Sequence, residues 1–98
     1  MNTNKLIERY LRGNKDFVEA SLQQANLSET CLNGINLSRA NLTSANLEGV
    51  SLRGANLNEA IFEKATLWRS DLSKSFLIWS VLSKACLIRA NLNRAFMH

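Results

Sequence analysis

Every fifth residue from Phe17 to Met97 is large and apolar. Fourteen of the 16 leucines lie on this phase, and all ten alanines lie two positions before it. The position between them is often asparagine, and the two positions after it are mostly polar, as in ANLSE, ANLTS and ANLEG. Neither an α-helix nor a β-strand places every fifth residue on one side. The chain must therefore turn a corner once per unit and bury a continuous leucine column by stacking its turns, as solenoids do.

Each unit contains an alanine position, an asparagine position, a leucine position, and a first and a second turn position. Ala40, Asn41, Leu42, Thr43 and Ser44 form one such unit. Side chains two residues apart in an extended segment point the same way, so the alanine and leucine positions should both face the core. The turn positions should round the corner in contact with water.

These units resemble the A(D/N)LXX motif of the pentapeptide repeat family over about residues 16–98. The resemblance implies an all-β solenoid, a right-handed quadrilateral β-helix with four units per coil and about four coils. Residues 20 apart would then stack at about 4.8 Å. The segment YLRGNKDF, Tyr10–Phe17, also resembles the one that leads into the repeats of cyanobacterial members. A hexapeptide left-handed β-helix would need a period of six and is excluded.

The two ends of the solenoid differ. Residues 3–12 are predicted to form a short capping α-helix, with an N-cap at Asn2, Thr3 or Asn4 and a stop at Gly13. Its apolar face would comprise Leu6, Ile7, Tyr10 and Leu11. Residues 1–15 are thus predicted to close the first coil of a 16–98 β-helix. No comparable cap follows the last coil, so Leu82, Leu87, Leu92 and Met97 would need another copy, a foreign partner or further chain to cover them.

Several positions within the repeat carry structural expectations. Asp16 and Asp71 stand at the asparagine position, where the family carries Asp or Asn, so the resemblance implies a structural role for both. Stacked asparagines, Asn26 over Asn46 and Asn36 over Asn56, are expected to form side-chain ladders. Three successive alanine positions hold Ser70, Ser75 and Ser80. Small size accounts for these serines, and the alternative is hydrogen bonding to nearby backbone groups.

Outward positions become apolar in the second half of the chain. Soluble monomers rarely expose large apolar patches, and Trp and Phe are typical interface anchors. We therefore expect a protein interface, above all a homodimer interface, that also covers the open end. Local packing and membrane contact are the alternatives. The predicted interface residues are Ile61, Trp68, Phe76, Ile78, Trp79, Val81, Ile88, Phe96 and Met97.

The net charge of +4 lies entirely in residues 51–98. Six cations at second turn positions should stack in pairs one coil apart, where an anion would relieve their repulsion. They are Lys64 with Lys84, Arg69 with Arg89, and Lys74 with Arg94. The alternative function is therefore an electrostatic binder of nucleic acid or anionic membrane. Some family members mimic DNA and inhibit DNA gyrase, but a short, basic rod does not suit that role.

Catalysis is not expected. The only histidine is His98, the last residue, and no histidine is placed to activate Cys31 or Cys86. A solid core of leucine and alanine leaves no cavity for a substrate, and no metal or cofactor motif is present. The start of the chain lacks a secretory signal, and no apolar run could span a membrane. These features predict a non-enzymatic interaction protein of the cytoplasm that has no cofactor.

Overall fold

The chain begins with one α-helix. The computed structural model describes residues 1–98, and helix α1 spans Thr3–Leu11. Asn2 is the N-cap, since its Oδ1 accepts hydrogen bonds from the backbone N–H groups of Asn4 and Lys5 at 2.7 and 3.3 Å. Gly13 follows the C-cap with a φ of +96°, a conformation that glycine adopts without steric cost. The predicted helix is confirmed, one residue shorter than expected. This nine-residue helix is too short to cross a membrane, and the structure has no other helix.

Beyond α1, parallel bridges join residues 20 apart. The series runs from Asp16 opposite Asn36 to Asp71 opposite Asn91. Only the segments Phe76–Leu77 (β1) and Phe96–Met97 (β2) extend a bridge to two-residue strands, which pair in parallel with Phe76 opposite Phe96. The predicted stacking interval of 20 residues is confirmed.

Each unit ends in a β-turn. The N–H of the alanine position donates to the carbonyl of the preceding leucine position, as from Ala45 to Leu42 at 3.0 Å. The second turn position has a φ near +60° in every unit, although 13 of these residues are not glycine. This left-handed conformation costs a residue with a Cβ about 1–2 kcal/mol. The N–H of this position donates a hydrogen bond to a carbonyl of the next coil, as from Lys74 to Asn93 at 2.9 Å. Stacking of the coils therefore offsets the cost of the left-handed conformation.

Because turns recur every five residues and pairing every 20, each circuit has four sides. We number them as faces. Face 1 comprises residues 15–19, 35–39, 55–59, 75–79 and 95–98. Face 2 comprises residues 20–24, 40–44, 60–64 and 80–84. Face 3 comprises residues 25–29, 45–49, 65–69 and 85–89. Face 4 comprises residues 30–34, 50–54, 70–74 and 90–94.

The core is the stacked interior of these faces. The leucine positions are buried from Phe17 to Leu77, and α1 covers the first coil with Leu6, which is fully buried. Tyr10 fixes the helix to the first coil, since its hydroxyl donates to the Asn33 carbonyl at 2.7 Å. Burial of the leucine column at these positions follows the prediction.

The asparagine side chains do not form ladders, and that expectation is wrong. Instead, each Oδ1 accepts a hydrogen bond from the backbone N–H two residues later, as Asn26 Oδ1 does from the Ser28 N–H at 3.1 Å. Asp16 and Asp71 make the same bond, to Val18 and Ser73. These Asx turns give the backbone N–H of the first turn position a hydrogen-bond acceptor within its own unit. The same bond forms at Asn36, Asn41, Asn46, Asn56 and Asn91.

Two of the three serines at successive alanine positions, Ser70, Ser75 and Ser80, form side-chain hydrogen bonds. The hydroxyls of Ser75 and Ser80 donate to the carbonyls of Leu72 and Leu77, three residues earlier, at 2.6 and 2.9 Å. Ser70 is buried, but its hydroxyl has no hydrogen-bond partner. Backbone hydrogen bonding, the alternative to small size alone, therefore holds at two of the three serines.

The last coil has an uncovered end. Leu82, Leu87 and Leu92 are only half-buried, and Met97 is 52% exposed, whereas the leucine positions one coil earlier are buried. The N–H groups of the same three leucines have no backbone acceptor. An apolar surface and unpaired backbone donors therefore occur together at this end.

Candidate interaction surfaces

An exposed aromatic stack lies on face 1. The Phe76 and Phe96 rings are parallel, with centroids 4.8 Å apart and an interplanar angle of 8°. They stack because both occupy the asparagine position of one face, one coil apart. Their exposed fractions are 38% and 52%. Trp79 lies at the corner of the same face, is 65% exposed, and contacts the His98 ring at a centroid distance of 4.6 Å.

The apolar surface continues around this corner onto face 2. Val81 follows the turn that begins at Leu77, and it pairs with Ile61 one coil earlier. Ile78 is half-buried within that turn and donates its N–H to Asn58 Oδ1 at 2.8 Å. We define the apolar patch as the predicted interface residues on faces 1 and 2 and at the open end: Ile61, Phe76, Ile78, Trp79, Val81, Phe96 and Met97.

Trp68 and Ile88 lie elsewhere. Both are first turn positions of face 3, two turns along the coil from the corner that holds Ile78 and Trp79. Trp68 is half-buried, and the Arg69 guanidinium lies 4.7 Å from its ring centroid. Ile88 is exposed. The nine predicted interface residues therefore divide into a group of seven and a separate pair.

The six predicted anion-binding residues divide among three corners. Lys64 and Lys84 lie at the end of face 2, Arg69 and Arg89 at the end of face 3, and Lys74 and Arg94 at the end of face 4. Five of them lie more than 4 Å from every carboxylate. The stacked placement is as expected, but the six cations do not form one surface.

Arg69 departs from the predicted role. Its Nη2 lies 2.8 Å from Glu29 Oε1 and 3.5 Å from Glu48 Oε1. The hydrogen bond to Glu29 is the main cause that raises the pKa of Arg69 above its usual range. Partial desolvation opposes this rise, and the charge of Glu29 and the contact with Glu48 add to it. The guanidinium already has two anionic partners, so Arg69 is not a free site for an external anion.

A shallow depression lies on face 4. It has a volume of about 440 Å³ and contains no apolar lining residue. Two of the predicted cations line it together with Arg53, which the sequence analysis did not select. Arg53 stands at a first turn position, whereas all six predicted cations stand at second turn positions. The lining residues are Arg53, Ser73, Lys74, Asn91, Asn93 and Arg94.

The groups considered for catalysis stay apart. Cys31 lies on face 4 and Cys86 on face 3, and both are free thiols. No group of three His, Cys, Asp or Glu side chains is arranged to hold a metal ion. His98 rests against Trp79, and Asp71 is engaged in its Asx turn.

Comparison with known proteins agrees with this architecture. Eight copies of the family described as Pentapeptide repeats match residues 20–59 and 60–98. The pentapeptide repeat protein alr5209 of Nostoc PCC 7120 is 36% identical, with a TM-score of 0.92 over 99% of this chain and 86% of that one. No curated protein sequence matched the chain.

Two other solved structures are longer than this chain. A pentapeptide repeat protein of the Arabidopsis thaliana thylakoid lumen is 26% identical, with a TM-score of 0.77 over 89% of this chain and 59% of that one. HetL of Nostoc sp. PCC 7120, involved in heterocyst differentiation regulation, is 31% identical, with a TM-score of 0.50 over 97% of this chain and 46% of that one. The repeat match and these likenesses show that the chain belongs to the pentapeptide repeat family.

Proposed function

We propose that this chain is a non-catalytic protein-interaction module that forms a homodimer through the apolar patch. Pentapeptide repeat proteins fold as right-handed quadrilateral β-helices and are generally structural or interaction modules. We infer the same hand and about four coils here. The observation that carries the proposal is the exposed Phe76–Phe96 stack, which lies beside Trp79 and an uncovered coil end.

The patch has the composition of an interface centre. Aromatic side chains bury a large area at a low entropic cost, and they dominate the energetics of most interfaces. Phe76, Trp79, Val81 and Phe96 are each more than one-third exposed and lie on two adjoining faces. Contact with a second copy would remove this area from water. It would also cover Met97 and the half-buried leucines of the last coil.

Electrostatics permit two copies to approach at this patch. Arg39, the only cation at a second turn position of face 1, lies 3.5 Å from Glu19 and 3.9 Å from Glu59. With two glutamates and one arginine, this column has a net charge of −1 and contains no unpaired cation. The unpaired cations lie at the margins of the patch, Lys64 and Lys84 at the end of face 2 and Lys74 and Arg94 where face 4 meets face 1, and none of the seven patch residues is charged.

Light scattering tests the proposal. The wild-type chain of 11.0 kDa should have the solution mass of a dimer, and Phe76→Glu with Phe96→Glu should give a folded monomer. The control is Ile88→Glu, matched in charge by the single change Phe96→Glu; it places one glutamate at an exposed apolar residue of face 3 and should leave the dimer intact. Circular dichroism verifies that each variant is folded. A wild-type monomer, or equal disruption by Ile88→Glu, would contradict the proposal.

The basic residues favour a nucleic-acid or membrane partner less well. A polyanionic strand or bilayer needs cations along one continuous surface. Lys64, Arg69 and Lys74 lie at three different corners, and Arg69 is paired with two glutamates. The positive net charge likewise opposes DNA mimicry.

A further inference from the structure

We propose that the depression on face 4 is a binding site for the phosphate group of a small ligand. This inference does not depend on the proposed dimer, since the depression and the apolar patch share no residue. Three cations, Arg53, Lys74 and Arg94, line the depression together with three neutral polar residues.

The charge of the site suits a phosphate dianion. No carboxylate lines the depression. The nearest acid is Asp71, whose Oδ2 lies 3.7 Å from Arg53 Nε and offsets one of the three positive charges. Lys74 and Arg94 have no carboxylate within 4 Å. A net charge of about +2 therefore remains for a ligand whose own charge at neutral pH is between −1 and −2.

The depression exists because small residues lie between long ones. Arg53, Ser73 and Asn93 occupy the first turn position of face 4 in successive coils, and Gly54 precedes Lys74 and Arg94 in the neighbouring column. No atom lies within 4 Å of where a Gly54 Cβ would be. The short side chains leave open space that is flanked by the ends of the lysine and arginine side chains.

Ser73 is an unusual residue of this fold. Every other first turn position is at least partly exposed, whereas Ser73 is only 7% exposed. The residue lines the depression, and its hydroxyl makes no hydrogen bond within the protein, although its N–H donates to Asp71 Oδ1 at 3.0 Å. The hydroxyl oxygen is open to the depression, so water or a ligand can bind it. A phosphate oxygen would accept a hydrogen bond from this hydroxyl.

The neutral side chains complete a set of donors. Asn91 Oδ1 accepts the Asn93 N–H at 2.9 Å, which leaves the Asn91 amide nitrogen free to donate. The Asn93 side chain makes no hydrogen bond within the protein. Guanidinium, ammonium, amide and hydroxyl donors thus surround one space, as recognition of a phosphate requires.

The lining also limits the rest of the ligand. No aromatic or aliphatic side chain is available to stack on a nucleobase or to hold an acyl chain. The volume of about 440 Å³ is larger than a single phosphate needs. The site therefore fits inorganic phosphate, pyrophosphate or a small sugar phosphate, and a phosphate could also come from an exposed lipid headgroup.

Isotope-labelled protein, titrated with inorganic phosphate and then pyrophosphate at constant ionic strength, tests the proposal by NMR. Saturable amide shifts are expected at residues 53, 73–74 and 91–94. Combining Lys74→Gln with Arg94→Gln should weaken binding at least tenfold, and Ser73→Ala should weaken it several-fold. Lys64→Gln with Lys84→Gln removes an equal charge from the same turn position of face 2 and should not change the affinity.

A gain of binding provides a test that misfolding cannot imitate. Asp71→Asn keeps the Asx turn, as asparagine does in other units, and removes the one carboxylate beside Arg53. This variant should bind phosphate more tightly than the wild type. Unchanged affinity in Asp71→Asn, or weak shifts spread over all basic residues, would overturn the proposal.

Vesicle flotation separates the two sources of phosphate. A soluble ligand predicts no flotation with vesicles of phosphatidylcholine containing phosphatidic acid. A headgroup predicts flotation that Lys74→Gln with Arg94→Gln abolishes and Lys64→Gln with Lys84→Gln preserves. Either result supports the phosphate site, whereas equal loss of flotation in both variants contradicts it. The dimer is measured separately by solution mass.

Discussion

Arg69 Nη2 lies 2.8 Å from Glu29 Oε1, although the two residues are 40 positions apart. They occupy the second turn position of face 3 two coils apart, and Gly49 stands between them in the column. Because Gly49 has no side chain, Arg69 reaches across an entire coil. A Cβ at Gly49 would lie 2.6 Å from both carboxylate oxygens of Glu29, which is too close for either to remain in place.

The first prediction concerns Gly49→Ala, with Gly54→Ala as its matched control. The two glycines have φ values of +67° and +66°, but a Cβ at Gly54 meets nothing within 4 Å. Gly54→Ala should therefore cost only the left-handed conformation, about 1 kcal/mol of unfolding free energy. Gly49→Ala should cost more, because it also displaces Glu29 from Arg69. Urea unfolding measures both values, and equal losses would show that the contact across the coil contributes nothing.

A second prediction concerns the Asx turns. Asn56 Oδ1 accepts the Asn58 N–H at 3.1 Å, so Asn56→Ala should lower the unfolding free energy by about 1 kcal/mol. Asn56→Asp keeps the acceptor, as Asp71 does toward Ser73, and should retain most of the stability. Urea unfolding of the two variants distinguishes hydrogen bonding from packing. If alanine and aspartate were equally destabilising, the turn hydrogen bond would not be the cause.

The five-residue period predicted most of the fold from the sequence. The large apolar residue recurs at 17 successive positions, so the period stays clear even where Phe62 replaces leucine. Burial of the leucine column and the capping helix followed from local pattern and from the need to cover apolar surface, because both depend on which side of the chain a residue occupies. Pairing at intervals of 20 was implied by the resemblance to the family.

The side-chain hydrogen bonds could not be read from the same pattern. The coil of 20 residues that the resemblance implies places Asn26 over Asn46, but it does not choose between a partner in the next coil and the nearer N–H of Ser28. The nearer donor forms the bond. Likewise, the stacked cations do not indicate Arg53, because Ser73 and not a second cation lies one coil after it. Its 20-residue spacing from Ser73, beside Lys74, was the available signal.

A third prediction compares two leucines of one column. Leu52 is fully buried, and Leu92, two coils later, is half-buried at the open end. Leu52→Ala should lower the unfolding free energy by about 2–5 kcal/mol, and Leu92→Ala should lower it less because its site can relax. At protein concentrations that favour the proposed dimer, the loss for Leu92→Ala should increase. A concentration-independent loss at Leu92 would mean that a second copy does not cover this end.

The contact between α1 and the first coil should make stability fall at high pH. Burial, and secondarily the charge of Cys31, raise the pKa of Tyr10 above its usual value near 10. The unfolded chain therefore releases the phenol proton first, so this stabilisation is complete below about pH 10 and is lost as pH rises through the folded-state pKa.

The variant Tyr10→Phe tests this pH dependence. It loses the hydrogen bond to Asn33, which contributes about 1 kcal/mol, but its stability should lack this part of the decline at high pH. Urea unfolding of both proteins across this range isolates the effect, because the two differ only in the phenol hydroxyl. Tyr10 is the only tyrosine, so phenolate absorbance reports its pKa directly, and parallel stability curves for the two proteins would contradict the assignment.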